Sequence, residues 1–266
     1  MIHLVGIDVD GTLLGSSGDV RPEVWDAAQR ARTSGIHLTL CSGRPAFGST
    51  IEYARRLEAD GWHVFQNGAS IVHVATGESR STPLPIDAVR DFIARARSEG
   101  DLLELYTDRE FANESGSPLA REHARLLGVP FEVRPFESLT GPVVRAQWLV
   151  SHEAGRQLAS ASHPGLEVAL STSPLMPHTT FVGITRAGVS KGSAIRTVAE
   201  QYGIDPSDVM YVGDGENDLS ALEIVGHPVA MGNAAAPVLQ LAKYTVSHVD
   251  QGGLAEALEL ARVRRS

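Results

Sequence analysis

Ile2-His3-Leu4-Val5-Gly6-Ile7-Asp8-Val9-Asp10-Gly11-Thr12 decides the reading of this chain. An apolar run of strand length ends in two carboxylates spaced i, i+2, at the point where a buried strand runs out into a turn. That is where an open α/β sheet places its chemistry. Side chains at i and i+2 of an extended segment leave on the same side, so Asp8 and Asp10 can address one small volume, and Gly11 frees the backbone to turn at once. Two like charges held close are costly unless a cation or a shared proton relieves them. Asp and Gly also dominate turns for local reasons, so the pentapeptide alone reads equally well as an acidic strand-to-helix loop.

Working outward, strand-like apolar runs at 2–9, 36–41, 63–65, 209–212, 228–231 and 244–246 alternate with helical periodicity at 22–33, 45–59, 191–202, 218–225, 235–241 and 254–261. This alternation predicts an α/β fold with a Rossmann-like parallel sheet covered on both faces. The middle of the chain has another rhythm: helical 87–98, 118–127 and 153–161, and strand-like 102–107, 131–134, 143–151, 166–170 and 180–184. Prolines at 83 and 85 and Gly188 punctuate its borders. The pattern predicts a core made of residues 1–82 and 187–266, with an α+β domain, 83–186, threaded into it.

Of the 266 residues, 42% are hydrophobic and 21% charged, as in ordinary globular proteins, and 32 acidic against 23 basic side chains leave a net charge of −9. That balance argues against a nucleic-acid partner. No apolar stretch is long enough to cross a bilayer, and the N-terminus enters a strand at once, so a cytoplasmic protein without a membrane partner is expected. The single cysteine, Cys41, excludes an internal disulfide and reads as a small buried hydrophobe, since nothing near it in sequence would activate a thiol.

Three further motifs follow strands or open helices. Ser42-Gly43-Arg44-Pro45 reads as the start of a helix, where a hydroxyl and free N–H groups form an anion site or simply an N-cap. Arg44 reads either as a substrate contact or as a solvated arginine. Ser190-Lys191-Gly192 places an ammonium at a helix N-terminus against the dipole, which suits an exposed lysine or an anion lying between. Gly213-Asp214-Gly215-Glu216-Asn217-Asp218 puts two more aspartates beyond a strand, either as a capped turn or as oxygen ligands for a hard cation.

In this order the four motifs resemble those of the haloacid dehalogenase superfamily of phosphohydrolases. Asn67-Gly68-Ala69, the long insertion, Ala230-Met231-Gly232-Asn233-Ala234 and Asp250-Gln251-Gly252-Gly253-Leu254 resemble its Cof-type branch, which carries a large α/β cap. One departure is Gly183-Ile184-Thr185, where the branch commonly has an acidic residue. The resemblance implies a magnesium-dependent phosphatase acting on a small-molecule phosphate monoester such as a sugar phosphate or a phosphorylated cofactor precursor. Asp8 would be the nucleophile and Asp10 the general acid and base, with Mg2+ held by Asp8, Asp10 and Asp214 and supported by Asp218. Lys191 and Ser42 would hold the phosphoryl oxygens. Gly43, Arg44, Asn67 and Asn217 would complete the substrate site, and Thr12 would support its loop. The cap would choose the leaving group, with Arg145, Trp148, His178 and Thr179 as candidates. A phosphosugar mutase using the same aspartyl phosphate is the nearest alternative. A phospho-accepting signalling domain fits less well, because it needs no inserted cap.

Overall fold

The computed structural model describes residues 1–161, 163–173 and 176–265. They form two compact units, one of residues 1–44, 50–80 and 190–266, the other of residues 45–49 and 81–189.

The first unit opens with β1 (Leu4–Ile7), α1 (Pro22–Thr33), β2 (His37–Leu40), α2 (Ser49–Leu57), β3 (Trp62–Phe65) and β4 (Ser70–His73). All four residues of β1 are buried, as a central strand covered on both faces requires. Pro22 starts α1, where its missing N–H costs nothing. The structure corrects the helix expected over 45–59. Residues 45–48 are not helical and α2 begins at Ser49, because Gly48 sits at φ +63° and Pro45 holds the residue before it extended. Ser42 and Gly43 therefore lie in a loop and not on a helix N-terminus.

β3 departs from the parallel ladder. It meets β2 through a single bridge, Cys41 with Val64, and pairs antiparallel with β4, a strand that the periodicity did not reveal. Side chains replace the missing ladder bonds. His63 Nδ1 accepts the Leu40 N–H at 3.0 Å and Thr39 Oγ1 donates to the Trp62 carbonyl at 2.7 Å. Burial pushes the His63 imidazole down to about 4, so it stays neutral and able to accept.

The second unit follows with α3 (Ile86–Glu99), β5 (Leu102–Tyr106), β6 (Phe111–Ala112), α4 (Pro118–Leu127), β7 (Arg145–Val150), α5 (His152–Ser160), β8 (Leu166–Ser173) and β9 (Met176–Arg186). Its antiparallel sheet has the order β6-β5-β7-β9-β8. Leu103, Leu105, Ala146, Trp148, Val182 and Ile184 share one face, packed against Val89, Phe92 and Ala96 of α3. On the other face Leu102, Leu149 and Phe181 meet Leu119, Ala120 and Leu126 of α4. Ser117 caps α4 and Gly128 ends it in the left-handed region. Residues 131–134, expected as a strand, form none, and Arg134 is tied to Glu110 and Phe111 by its guanidinium.

The chain returns to the first unit with α6 (Lys191–Tyr202), β10 (Val209–Gly213), α7 (Leu219–Leu222), β11 (His227–Ala230), α8 (Ala236–Leu241), β12 (Tyr244–Thr245) and α9 (Gly253–Val263). The central sheet is parallel throughout, in the order β12-β11-β10-β1-β2. One face of it buries Leu4, Val209 and Tyr211 against Ile195 and Val198 of α6.

Candidate active site

β1, β2 and β10 run parallel, so the residues just past each strand gather at one edge of the sheet. Asp8 follows β1, with its N–H bonded to the Val212 carbonyl at 3.0 Å. Ser42 lies just past β2, and Gly213-Asp214 ends β10. Ser190 caps α6 in a reciprocal capping box with Ser193, which fixes Lys191 as the first helical residue. Lys191 is 1% exposed, and its Nζ lies 2.6 Å from Asp8 Oδ1 and 2.6 Å from Asp218 Oδ1. Two carboxylates thus offset the unfavourable dipole that the sequence puts beside this ammonium.

The acidic loop is fully braced. Asp218 Oδ2 accepts the backbone N–H of Asp214 at 3.1 Å and of Gly215 at 3.0 Å, while Oδ1 accepts the Tyr211 hydroxyl at 2.7 Å as well as Lys191. Asp214 takes the Thr12 hydroxyl on Oδ1 at 3.0 Å and the Asn233 amide on Oδ2 at 3.3 Å. Asn233 also donates to the Gly11 carbonyl at 2.8 Å. Gly11 sits at φ +88°, and a Cβ there would lie 2.2 Å from Asp214 Oδ2, so only glycine lets the two acidic loops approach this closely.

Ser42 is buried, and its Oγ accepts the Arg44 N–H at 3.0 Å. Its carbonyl accepts the Asn67 N–H at 2.9 Å. Gln66 and Asn67 are both in the left-handed region, at φ +53° and +55°, a strained pair of the sort that persists where surroundings dictate it. The turn aims Asn67 at Gly43 and bonds its Oδ1 to the Asn217 amide at 3.0 Å. Arg44 grips both oxygens of Asp10, Nε lying 3.0 Å from Oδ2, so here it contacts the acid-base candidate rather than open solvent. The Asp10 side chain is 60% exposed.

Charge dominates this site. Burial, then the nearby Asp218 carboxylate, holds the Asp8 pKa well above the ordinary range, although Lys191 opposes both. Burial also raises Asp214, to about 6, with Thr12 and Lys191 pulling the other way. Burial works against the Lys191 ammonium, but Asp8 and Asp218 together outweigh it and hold its pKa above the usual lysine value. Carboxylate oxygens of Asp8, Asp214 and Asp218 lie within 4.8 Å of one another, an arrangement that could hold a metal ion.

Residues 5–258 match the family model of the haloacid dehalogenase-like hydrolases. The chain belongs to that family. It is 24% identical, over 97% of its length and 96% of the relative's, to the 5-amino-6-(5-phospho-D-ribitylamino)uracil phosphatase YitU of Bacillus subtilis. A solved haloacid dehalogenase-like hydrolase from Bacteroides thetaiotaomicron superposes with a TM-score of 0.85 at 26% identity, covering 98% of this chain and 99% of that one. The fold is also that of the subclass IIB sugar phosphatase BT4131, with a TM-score of 0.80 at 21% identity, covering 97% and 98% of the two chains. This haloacid dehalogenase-like hydrolase is a phosphatase acting on phosphate monoesters, built on the Cof-type plan with its inserted α+β unit. Among its described helices none is long and apolar enough to cross a membrane.

The structure brings Asp8, Thr12, Lys191, Asp214 and Asp218 into one hydrogen-bonded group, and Ser42, Asn67 and Asn217 into another, with Gly43 beside Asn67. Tyr211 and Asn233 carried no role in the sequence. Asn233 lies in a motif quoted for the family, but Tyr211 is one aromatic among strand residues, and nothing local marks its hydroxyl. Of the four residues named in the inserted unit, Trp148 is 1% exposed and packs edge-on to Phe92, so its place is in the core. Thr179 is buried, His178 exposed, and Arg145 bonds the Gln147 side chain over the Tyr106 ring.

Proposed function

We propose that this phosphatase hydrolyses a small-molecule phosphate monoester, a sugar phosphate or a phosphorylated cofactor precursor, through an aspartyl phosphate on Asp8 with Mg2+ as its ion. The observation that carries the reading is the buried Asp8–Lys191–Asp218 group beside Asp214. An all-oxygen set of crowded carboxylates, two of them with raised pKa values, is short of positive charge, and a hard divalent cation fits that deficit. Asp8 and Asp214, with the Asp10 backbone carbonyl, would hold it, while Asp218 already accepts four hydrogen bonds and would orient the others. When bound, the ion supplies the charge that lets a carboxylate approach an anionic phosphate.

The remaining steps belong to the chain. Asp8 attacks phosphorus, and the P–O bond to the leaving group breaks as the Asp8–phosphorus bond forms. Asp10 protonates the departing alkoxide, then takes a proton from the water that attacks the acyl phosphate and frees Asp8 and inorganic phosphate. Arg44 now occupies both oxygens of Asp10, so the pair must part before Asp10 can reach a leaving group or a water. Lys191 and Ser42 hold the phosphoryl oxygens as charge builds on them. Ser42 Oγ can keep accepting the Arg44 N–H while donating its own O–H to a phosphoryl oxygen, and Gly43, Asn67 and Asn217 line the same edge.

Purified protein assayed with magnesium against a panel of phosphate monoesters tests this reading. Phosphate release that stops with chelator supports it. Absence of release from every ester, or full turnover in chelator, overturns it. Dependence on a bisphosphorylated sugar activator would favour the mutase instead.

A further inference from the structure

Tyr211 stands in the middle of β10 with no exposed surface, and its hydroxyl has no part in the proposed chemical steps. Its O–H donates to Asp218 Oδ1 at 2.7 Å, the same oxygen that accepts Lys191 Nζ at 2.6 Å. The chain has also made room for this ring. Gly6 is the cross-strand neighbour of Tyr211, and a Cβ on Gly6 would lie 2.6 Å from Tyr211 Cδ2 and 2.9 Å from Ile195 Cδ1. Glycine in the middle of a buried strand is unfavourable in itself, so its presence here answers to the ring it accommodates.

We propose that Tyr211 is a positioning residue: its hydroxyl takes part of the charge of Asp218 Oδ1 and so leaves Lys191 shared evenly between Asp218 and the nucleophile Asp8. The inference rests on the reading of Asp8 as nucleophile. With the hydroxyl removed, Oδ1 has Lys191 as its one side-chain donor, and the ammonium shifts toward Asp218 and away from Asp8. Oδ2 cannot compensate, because the Asp214 and Gly215 amides fix it. The effect is therefore expected on the chemical step and not on substrate binding.

Tyr211→Phe keeps the ring and removes only the oxygen. On an activated aryl phosphate with magnesium, kcat should fall roughly ten-fold, as for loss of one hydrogen bond to a charged group, while KM changes by less than about two-fold. A crystal structure of the variant should show Lys191 Nζ beyond about 3.2 Å from Asp8 Oδ1. Gly6→Ala, which displaces the ring without touching the hydroxyl, should lower kcat in the same direction, and it serves if Tyr211→Phe does not fold. A kcat within about two-fold of the parent in a folded variant, or a fall with Lys191 unmoved on Asp8, overturns the proposal. A parent protein that releases phosphate from no ester would sink the phosphatase reading instead, and the position of Lys191 in the variant would still decide the role of Tyr211.

Discussion

Replacing Lys191 by methionine removes one charge from between two buried carboxylates. At 2.6 Å and an effective dielectric near 20, each contact has a gross attraction of about 6 kcal/mol, most of it spent on keeping three ions out of water. Breaking such a group costs about 3–5 kcal/mol, because Asp8 and Asp218 then face each other uncompensated until one takes up a proton. For a chain of this size that corresponds to a fall in melting temperature of roughly 10 °C, read by calorimetry in chelator at neutral pH. Turnover should fall further, by at least about 10³-fold in kcat/KM, since the phosphoryl oxygens lose their fixed cation and Asp8 becomes harder to ionise. Residual turnover should rise more steeply with pH than in the parent, as Asp8 needs a higher pH to lose its proton. A melting temperature within about 2 °C of the parent together with kcat/KM within about ten-fold would refute this account of the buried group.

Asp10→Asn should slow both formation and hydrolysis of the intermediate while a fluoride analogue of phosphate still binds, and rapid quench that finds only one step affected would contradict the double role of Asp10. Asp214, raised to about 6, favours the protonated folded state, so its contribution is present below about 4 and is lost as pH rises through about 6. Metal-free protein should therefore lose stability relative to Asp214→Asn between those pH values, and parallel melting curves would argue otherwise. Calcium should inhibit the magnesium-loaded enzyme, because its larger and looser shell would hold Asp8 in a geometry unfit for attack, and turnover with calcium equal to that with magnesium would contradict it. Replacing residues 85–185 by a short linker should leave a core that still cleaves an activated ester slowly but no longer ranks natural esters. An unchanged ranking would place specificity in the core.

The edge that carries the candidate site was legible because its carboxylates are written in short stretches that end strands. Asp8 and Asp10 follow an unbroken apolar run, and Asp214 and Asp218 follow another, so periodicity alone puts them at one edge of a parallel sheet. Lys191 was legible as an ammonium in an electrostatically wrong place, which the two carboxylates explain. What failed was the register of elements whose ends depend on single backbone conformations. Gly48 at φ +63° delays α2, and residues 131–134 have strand composition but no partner strand. The attachment of β3 through His63 and Thr39 side chains has no periodic signature, and neither does Tyr211, whose function depends on a hydroxyl that only the fold brings to Asp218. Trp148 looked amphipathic enough to meet a substrate, yet its place on the sheet face under α3 assigns it to packing.

The most direct test of the central claim is capture of the phosphoryl group on Asp8. Parent protein mixed with magnesium and an activated phosphate ester, quenched in acid during the first turnover and reduced with borohydride, should carry the reduced side chain at position 8 and nowhere else by peptide mass spectrometry. The label should disappear in Asp8→Asn, which should also be inactive. Reduction at a different residue, or turnover retained by Asp8→Asn, would contradict the account.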